Sequence, residues 1–197
     1  MSTRKPRVRS KRSREDVMAA AGRLFAERGY HGTSMRDLGE ELGLLGSSLY
    51  SHVGGKEELL VEVIRRGAAT FQALVDEVLG WEERPTEQLR RLVLGHVRII
   101  VENLHESSVF LNEARFLSSE NRHQVLELRD RYESAYREVL AGGTRTGDFR
   151  EDLDVPLTAI AILSILNSVS RWYRPAGPKT PEELARGLFD FILRGVT

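Results

Sequence analysis

Apolar and polar positions alternate with a helical period along almost the whole chain. Near the start, one apolar stripe recurs at intervals of three and four residues and consists of Val17, Ala20, Ala21, Leu24 and Phe25. Later segments repeat this spacing, and none shows the two-residue alternation that is typical of a half-buried strand. The pattern predicts an all-α fold of about nine helices.

Capping signals divide this pattern into separate helices. Ser13 followed by Asp16 predicts the start of the first helix, and Gly29 predicts its end. Thr33 is the predicted N-cap of the second helix, which Gly43 ends. The remaining helices are predicted over about 47–53, 56–79, 85–104, 107–117, 120–141, 156–173 and 181–193.

Two details concern the C-terminal helices. Gly142 and Gly143 are expected to loosen the end of the seventh helix. Thr180, Pro181 and Glu183 form a complete start signal for the ninth helix: a cap, a proline at the first helical position and an acid at the third. The eighth helix is nearly all apolar, so we expect it to be buried on several sides.

Composition narrows the class of protein. The 197 residues include no cysteine, which excludes a disulfide scaffold, a Cys-ligated zinc site and a thiol nucleophile. Hydrophobic residues make up 41% and charged residues 29%, as in ordinary soluble proteins. We expect no membrane span, because no apolar run reaches roughly 18 residues. The basic N-terminus lacks the apolar stretch of a secretory signal, so a cytoplasmic protein is expected.

The net charge of zero conceals two unlike parts. Lys plus Arg and Asp plus Glu both number 29. Residues 1–14 nevertheless hold seven basic and no acidic residues, so that residues 1–56 carry +5 and the rest −5. Such a distribution indicates an anionic partner at the N-terminal end, although a solvated basic tail has the same composition. Residues 1–12 are accordingly expected to form a flexible basic arm.

Residues 33–53 have the spacing of a helix-turn-helix. Two short helices flank a tight turn that contains Gly43, and Leu38, Leu42, Leu44 and Leu49 supply apolar anchors. In that motif the second helix lies in the DNA major groove. An ordinary α-hairpin has the same spacing. The candidate DNA contacts are Arg14, Thr33, Ser34, Arg36, Ser47, Ser48, Tyr50, Ser51, His52 and Lys56.

Residues 14–60 resemble the DNA-binding domain of TetR-family transcriptional regulators. The matching pieces are Leu24-Phe25, Gly29-Tyr30, Thr33, Arg36-Asp37-Leu38, Gly43, Leu49-Tyr50, His52 and Lys56-Glu57-Glu58-Leu59. The sequence departs from that family's usual pattern at Leu45, Gly46 and Val53, and the basic arm is a candidate source of the missing positive charge. The resemblance implies a helix-turn-helix domain over 13–55 and a ligand-binding, dimer-forming body over 56–197, in which helix 56–79 links ligand to DNA.

Polar side chains interrupt three apolar faces of the predicted body, which is typical of a ligand pocket. Each could instead be a satisfied structural hydrogen bond, and those on the eighth helix could lie at a dimer seam. The candidate ligand contacts are His96, Asn103, Phe110, Glu113, Phe116, Tyr132, Tyr136, Asn167 and Arg171. The eighth and ninth helices are predicted to pair with a second copy through Ala161, Ile165, Ser168, Trp172, Leu184, Leu188, Phe191 and Ile192.

The segment from Ser170 to Pro175, with the capped last helix, resembles a TetR branch that controls the breakdown of steroid fragments and of fatty or aromatic acids. Members of that branch commonly respond to acyl-CoA thioesters. The resemblance therefore implies three partners: a palindromic double-stranded operator, a small effector such as an acyl-CoA, and a second copy of the chain. A helical enzyme and an interaction protein without DNA binding are the alternatives. No catalytic or metal-ligating spacing supports the enzyme, and no cofactor or metal is expected.

Overall fold

The computed structural model describes residues 13–44, 49–50 and 53–197. Over these ranges the chain is helical with no strand, which confirms the all-α fold class. The elements are α1 (Arg14–Arg28), α2 (Met35–Leu42), α3 (Lys56–Leu79), α4 (Pro85–Glu102), α5 (Leu104–Asn112), a 3-10 turn (Ala114–Phe116), α6 (Ser119–Thr146), α7 (Val155–Trp172) and α8 (Pro181–Val196).

The head, residues 13–55, begins with α1 as the local signals predict. The Ser13 hydroxyl accepts from the Asp16 backbone N–H at 3.1 Å, and the Asp16 carboxylate accepts from the Ser13 N–H at 2.8 Å. The helix ends at Gly29. Leu24 and Phe25 are almost fully buried, so the predicted apolar stripe is the face that α1 turns to the core.

The cap of α2 is Ser34, not Thr33. The Ser34 hydroxyl accepts from the Asp37 N–H at 3.1 Å, and the Asp37 carboxylate accepts from the Ser34 N–H at 2.7 Å. Gly43 ends α2 in the left-handed conformation at φ 64°, which a glycine adopts without steric cost. Leu49 is helical and fully buried, as a recognition-helix anchor should be. The rest of the predicted 47–53 helix lies outside the described residues, apart from Tyr50 and Val53.

Several helix bounds in the body, residues 56–197, differ from expectation. The break between α4 and α5 falls at Asn103, and α5 stops at Asn112 before the 3-10 turn. Helix α6 continues through Gly142 and Gly143 to Thr146. Gly143 is needed there for packing, because a Cβ at this position would lie 2.0 Å from the Phe149 ring.

Helix α7 is apolar on two sides but buried on only one. Ala159, Leu166 and Val169 lie in the core, whereas Leu157 and Trp172 are exposed. Among the described residues, α7 alone is long and apolar enough to cross a membrane by length and composition, which qualifies the expectation that no segment would be. A single helix of this kind is weak evidence for a span. Only 28% of α7 is buried, so this helix has an apolar surface that none of the described residues covers.

Helix α8 starts with the predicted capping box, in which the Thr180 hydroxyl accepts from the Glu183 N–H at 3.2 Å. It packs on α4 and extends three residues beyond the predicted end, to Val196. One face is buried, and Phe191 on the opposite face is 65% exposed. The two C-terminal helices thus leave a shared apolar surface facing outward.

Candidate functional site

The head presents part of the predicted DNA-contacting set to solvent. Arg14 opens α1 with its side chain largely exposed and Glu62 4.0 Å away. Arg36 is exposed on α2, where its Nε donates to Glu40 at 2.8 Å and this contact raises the pKa of the guanidinium. Tyr50 is 56% exposed. The exposed N-cap Ser34 completes the described set, whereas residues 47, 48, 51 and 52 lie outside the described ranges.

Two predicted DNA contacts point inward instead. Thr33 is 1% exposed, and its hydroxyl donates to the Leu24 and Gly29 carbonyls at 3.2 and 3.0 Å. The Lys56 ammonium group donates hydrogen bonds to the Tyr30 and Thr33 carbonyls at 2.7 and 2.8 Å. Thr33 therefore fixes the loop between α1 and α2 to the end of α1, and Lys56 holds the same loop against the start of α3. Burial lowers the pKa of Lys56.

The segment after α5 joins the body to the head. The Glu113 carboxylate accepts from the Tyr30 N–H at 2.7 Å. The Phe116 ring stacks on Tyr30, with 6.2 Å between ring centres, and meets His31 edge-on at 4.5 Å. We call Tyr30, Lys56, Glu113 and Phe116 the head–body joint. The sequence expectation that Glu113 and Phe116 line a ligand pocket is corrected: these residues lie among apolar neighbours because the head covers them.

A cavity of about 420 Å³ is lined by residues from α3 to α7 and opens to solvent beside α7. We call it the His96 cavity. Five of the predicted ligand contacts line it, but Glu113 and Phe116 do not. The lining residues are Phe71, His96, Phe110, Leu111, Asn112, Arg129, Tyr132, Glu133, Ile160, Leu163, Ser164, Asn167 and Arg171.

A relay of hydrogen bonds runs from the His96 cavity into the core. His96 Nδ1 lies 3.0 Å from the Tyr132 hydroxyl, which lies 3.5 Å from the Tyr136 hydroxyl. Tyr136 donates to the Leu92 carbonyl at 3.2 Å. Tyr136 therefore supports the cavity from behind instead of lining it, which corrects its predicted role. Burial raises the pKa of Tyr136 and of Tyr132, so both remain neutral hydroxyls.

His96 is the buried polar group at the cavity end of this relay. It is 1% exposed, and its Nε2 has no hydrogen-bond partner among the described residues. Burial lowers the pKa of His96 to about 3, and the neighbouring Asn167 amide opposes this shift only in part. The imidazole is therefore neutral at physiological pH, with one nitrogen free for a ligand.

Arg129 is a cavity residue that the sequence pattern does not separate from other basic residues able to meet a ligand phosphate, such as Arg115 and Arg131. Its guanidinium donates to the Phe110 carbonyl and, at 3.0 Å, to the Leu111 carbonyl, while its Nε has no partner among the described residues. Burial lowers its pKa. In the sequence it resembles the other basic residues of a charged helix, and only the packing of α5 against α6 separates it from them.

Asn103 lies away from the His96 cavity. Its amide donates to the Ile99 carbonyl at 3.1 Å, and it lines a separate cavity of about 180 Å³ beside Arg66 and Ser107. The prediction that Asn103 shares a pocket with His96 is therefore corrected. Asn103 lies at the break between α4 and α5, where its side-chain amide is a second donor to the Ile99 carbonyl, which also accepts from the Asn103 backbone N–H at 3.0 Å.

The predicted dimer residues divide into an outer and an inner set. Ala161 is exposed on α7, and Phe191 projects from α8 across a shallow apolar groove of about 520 Å³ that Ile165 also lines. Leu184 and Ile192 are buried within their own subunit, so Leu184 in particular contributes to the monomer core. The outer set is Ala161, Ile165, Ser168, Trp172, Leu188 and Phe191, which are exposed or half-buried.

The chain combines a helix-turn-helix head with a helical body that has a cavity and an uncovered apolar face. These features define a class of regulators in which one chain binds both DNA and a small ligand. Comparison with known families agrees. Residues 17–63 match the family described as "Bacterial regulatory proteins, tetR family", and residues 82–196 match "Tetracyclin repressor-like, C-terminal domain". The chain belongs to the TetR family of bacterial transcriptional regulators, which confirms the resemblance.

Individual relatives support the same assignment. The "HTH-type transcriptional repressor KstR2" of Mycobacterium tuberculosis is 31% identical over 185 residues, covering 93% of this chain and 92% of that protein. Its solved structure, described as a ketosteroid transcriptional regulator, has a TM-score of 0.89, 29% identity and 97% coverage of both chains. The regulator PfmR from Thermus thermophilus has a TM-score of 0.84 and 40% identity, covering 92% of this chain and 98% of that one.

A third protein, AibR, was solved "in complex with isovaleryl coenzyme A and operator DNA". Its TM-score is 0.84 with coverage of 90% and 96%, but the identity is 24%, so this likeness shows the fold alone. KstR2 and PfmR are named as transcriptional regulators, not as enzymes.

Proposed function

We propose that this chain is a dimeric repressor that binds a palindromic DNA operator and leaves it when a small, largely apolar effector fills the His96 cavity. The observation that carries the proposal is that α5 and the turn after it contact both sites. Phe110 and Leu111 line the cavity, whereas Glu113 and Phe116 hold the head. A ligand that displaces α5 would therefore also displace the head.

The DNA side of the proposal is supported by charge and exposure. Residues 1–56 carry +5, and Arg14, Arg36 and Tyr50 are exposed on the head. The predicted contacts Ser47, Ser48, Ser51 and His52 belong to the recognition helix by sequence. Phosphate contacts would supply most of the affinity, and these hydroxyl and imidazole groups would read base edges. Because the proposed partner is DNA, we infer that the protein acts in the cytoplasm.

The dimer is supported by the uncovered apolar surface of α7 and α8. Leu157, Trp172 and Phe191 are all about half or more exposed, and large apolar patches commonly mark interfaces. Pairing two copies through this face would produce a four-helix seam and a two-fold axis. A two-fold protein binds an inverted repeat, with the two heads reading half-sites spaced by a helical turn or its multiples.

Release would follow as a population shift. The effector must bind the arrangement of heads that does not fit the operator more tightly than the arrangement that does. The contacts of α5 with both the cavity and the head support it as the connecting element. Helix α3, the lever that the family resemblance implies, also contributes to both regions, through Phe71 in the cavity and Lys56 at the joint.

We propose an acyl-CoA thioester, or the acid from which it is made, as the effector class. The His96 cavity is apolar around Phe71, Phe110 and Leu163 and polar at His96 and Asn167, which suits an acyl chain with a carbonyl. The resemblance of the C-terminal segment to regulators of acid breakdown supports the same class. The likeness to AibR indicates that this fold is compatible with such a ligand.

The test combines footprinting and release. The full-length protein is incubated with DNA from the promoter of its own gene, and the protected bases are mapped. We expect a protected inverted repeat, and a panel of acyl-CoA thioesters of increasing chain length should relieve protection. If no inverted repeat is protected, or if no member of the panel relieves protection, the corresponding half of the proposal is wrong.

The dimer has its own test. Phe191→Glu places a charge on the outer face of α8, and Leu126→Glu is the matched control, because Leu126 is 46% exposed on α6 away from that face. Sedimentation at micromolar concentration should show a dimer for the native chain and for Leu126→Glu, and a monomer for Phe191→Glu. Monomeric native protein would contradict the proposed seam.

The basic arm is tested by deleting residues 1–12 and repeating the binding assay over a range of salt concentrations. Each phosphate contact that the arm makes should reduce the slope of log affinity against log salt by about 0.9. An unchanged slope would show that the arm does not contact the backbone.

A further inference from the structure

We propose that Arg129 is the anion-binding residue of the His96 cavity, and that the effector carries a carboxylate or phosphate that competes with the Phe110 and Leu111 carbonyls for its guanidinium. This inference rests on the proposed function in one respect, namely that the His96 cavity is the effector site. It adds the charge of the ligand and names the residue that senses it.

The first observation is the lack of an acidic partner. Arg129 is partly buried on the inner side of α6, and no carboxylate among the described residues pairs with it. Glu133, one turn further along α6 and also in the cavity lining, pairs with Arg137 instead. A buried cation without a counter-ion is costly, and an anionic ligand would remove that cost.

The second observation is the free hydrogen-bonding capacity in the same cavity. The Arg129 Nε and the His96 Nε2 are both buried and have no partner among the described residues. Arg171, at the end of α7, adds a second guanidinium to the lining. Buried polar groups without partners are rare in folded proteins, and a ligand with an anionic end and a polar group further along would satisfy both.

The third observation connects this site to the head. The carbonyls that Arg129 holds belong to the last turn of α5, immediately before the Glu113 carboxylate that accepts from the Tyr30 N–H. A carboxylate or phosphate is a stronger acceptor for a guanidinium than a backbone carbonyl. When the anion binds Arg129, the guanidinium would release α5, and the segment that holds the head would lose one of its attachments.

The test measures ligand binding without DNA. The full-length protein is titrated calorimetrically with octanoate, octanol, octanoyl-CoA and coenzyme A. Octanoate and octanol have the same chain and differ in charge, whereas coenzyme A carries the phosphates alone. We expect octanoate or octanoyl-CoA to bind at least about tenfold more tightly than octanol, because a charge-assisted hydrogen bond is replaced by a neutral one.

Three variants assign this preference to a residue. Arg129→Gln should abolish the preference for the anion, and Arg129→Lys should restore part of it, because it keeps the charge but not the fork of donors. Arg131→Gln is the matched control: it removes the same charge from an exposed position on the same helix and should keep the full preference. Circular dichroism and the unfolding midpoint of each variant confirm that it is folded.

The inference is overturned if octanol binds as tightly as the anions, if no probe binds, or if the preference survives in Arg129→Gln. It is equally overturned if Arg131→Gln loses the preference to the same degree. These results are independent of the footprint. A protein that protects its operator but shows no Arg129-dependent preference would refute this inference alone. An Arg129-dependent preference without any protected operator would refute the proposed repressor instead.

Discussion

The head–body joint and the His96 cavity are built from the same kinds of side chain but differ in how completely these are paired. At the joint, the ammonium group of Lys56 and the carboxylate of Glu113 both have backbone partners within 3 Å. In the cavity, the Arg129 Nε and the His96 Nε2 have none among the described residues. Buried polar groups with hydrogen-bond partners stabilise one structure, whereas buried polar groups without partners are available to bind a ligand. The following predictions test this division.

The largest effect is expected for Lys56→Met. The methionine keeps most of the apolar stem but leaves the Tyr30 and Thr33 carbonyls without their donor, so we expect the free energy of unfolding to fall by about 3 kcal/mol. Urea titration followed by circular dichroism measures it. Lys179→Met, at an exposed turn, is the matched control and should change the free energy of unfolding by less than about 0.5 kcal/mol. Similar losses for the two variants would mean that Lys56 is not holding the joint.

The second effect concerns pH and the cavity alone. Burial lowers the pKa of His96 to about 3. The His96 imidazole therefore takes up a proton near pH 6.5 in the unfolded chain but stays neutral at that pH in the folded chain. Because the unfolded state binds more protons, the free energy of unfolding should fall as the pH falls, by about 2 kcal/mol between pH 7 and pH 5. Urea titrations at several pH values give the slope.

Two variants test whether His96 causes this dependence of the free energy of unfolding on pH. His96→Gln should flatten it, whereas His123→Gln, at an exposed position, should leave it as in the native chain. If His96→Gln keeps the full acid dependence, the imidazole is not the group that resists protonation.

A smaller effect is expected for Glu113→Gln. The amide oxygen can still accept from the Tyr30 N–H, but the bond loses its charge, so we expect a loss of about 1 kcal/mol. Ligand affinity should stay unchanged, because Glu113 lies at the joint. Urea titration and calorimetry with octanoyl-CoA on the same preparation measure both quantities. If Glu113→Gln keeps normal stability but binds octanoyl-CoA more weakly, Glu113 is a ligand contact and not a residue of the joint.

The smallest effect on stability is expected for His96→Phe. The change removes the hydrogen bond to Tyr132 but also the burial of an unpaired nitrogen, and these two costs oppose each other. We expect the free energy of unfolding at pH 7 to change by less than about 1 kcal/mol while the affinity for octanoyl-CoA falls. A loss as large as that of Lys56→Met would show that His96 has a structural role like the residues of the joint.

Sequence patterns predicted what short-range interactions decide. The caps at Ser13 and Thr180 were correct because each involves partners three residues apart. The cap of α2 was misplaced by one residue, although the same spacing marks the right one: Asp37 lies three residues after Ser34, whereas no acid lies three residues after Thr33. The continuation of α6 through Gly143 depends on Phe149, a contact that no local pattern records.

Long-range partners account for the errors in the candidate site. A polar residue on an apolar face indicates burial, but it does not indicate which element covers it. Glu113 is covered by the head and His96 by α6, although both patterns look alike in sequence. Arg129 could not be singled out for the opposite reason: it lies among other charges on a polar helix, and its partners are carbonyls 18 and 19 positions away.

One consequence of the position of α5 concerns how such a protein acquires a new ligand. A substitution in α5 that changes the cavity also changes the contacts that hold the head. Most substitutions in α5 therefore affect recognition of the effector and of DNA together. Ile160, Leu163 and Ser164 line the same cavity from α7, which is not part of the segment that holds the head. Selection for a different effector can therefore proceed on α7 while operator binding is preserved, and a library aimed at new specificity should vary α7 and leave residues 104–118 intact.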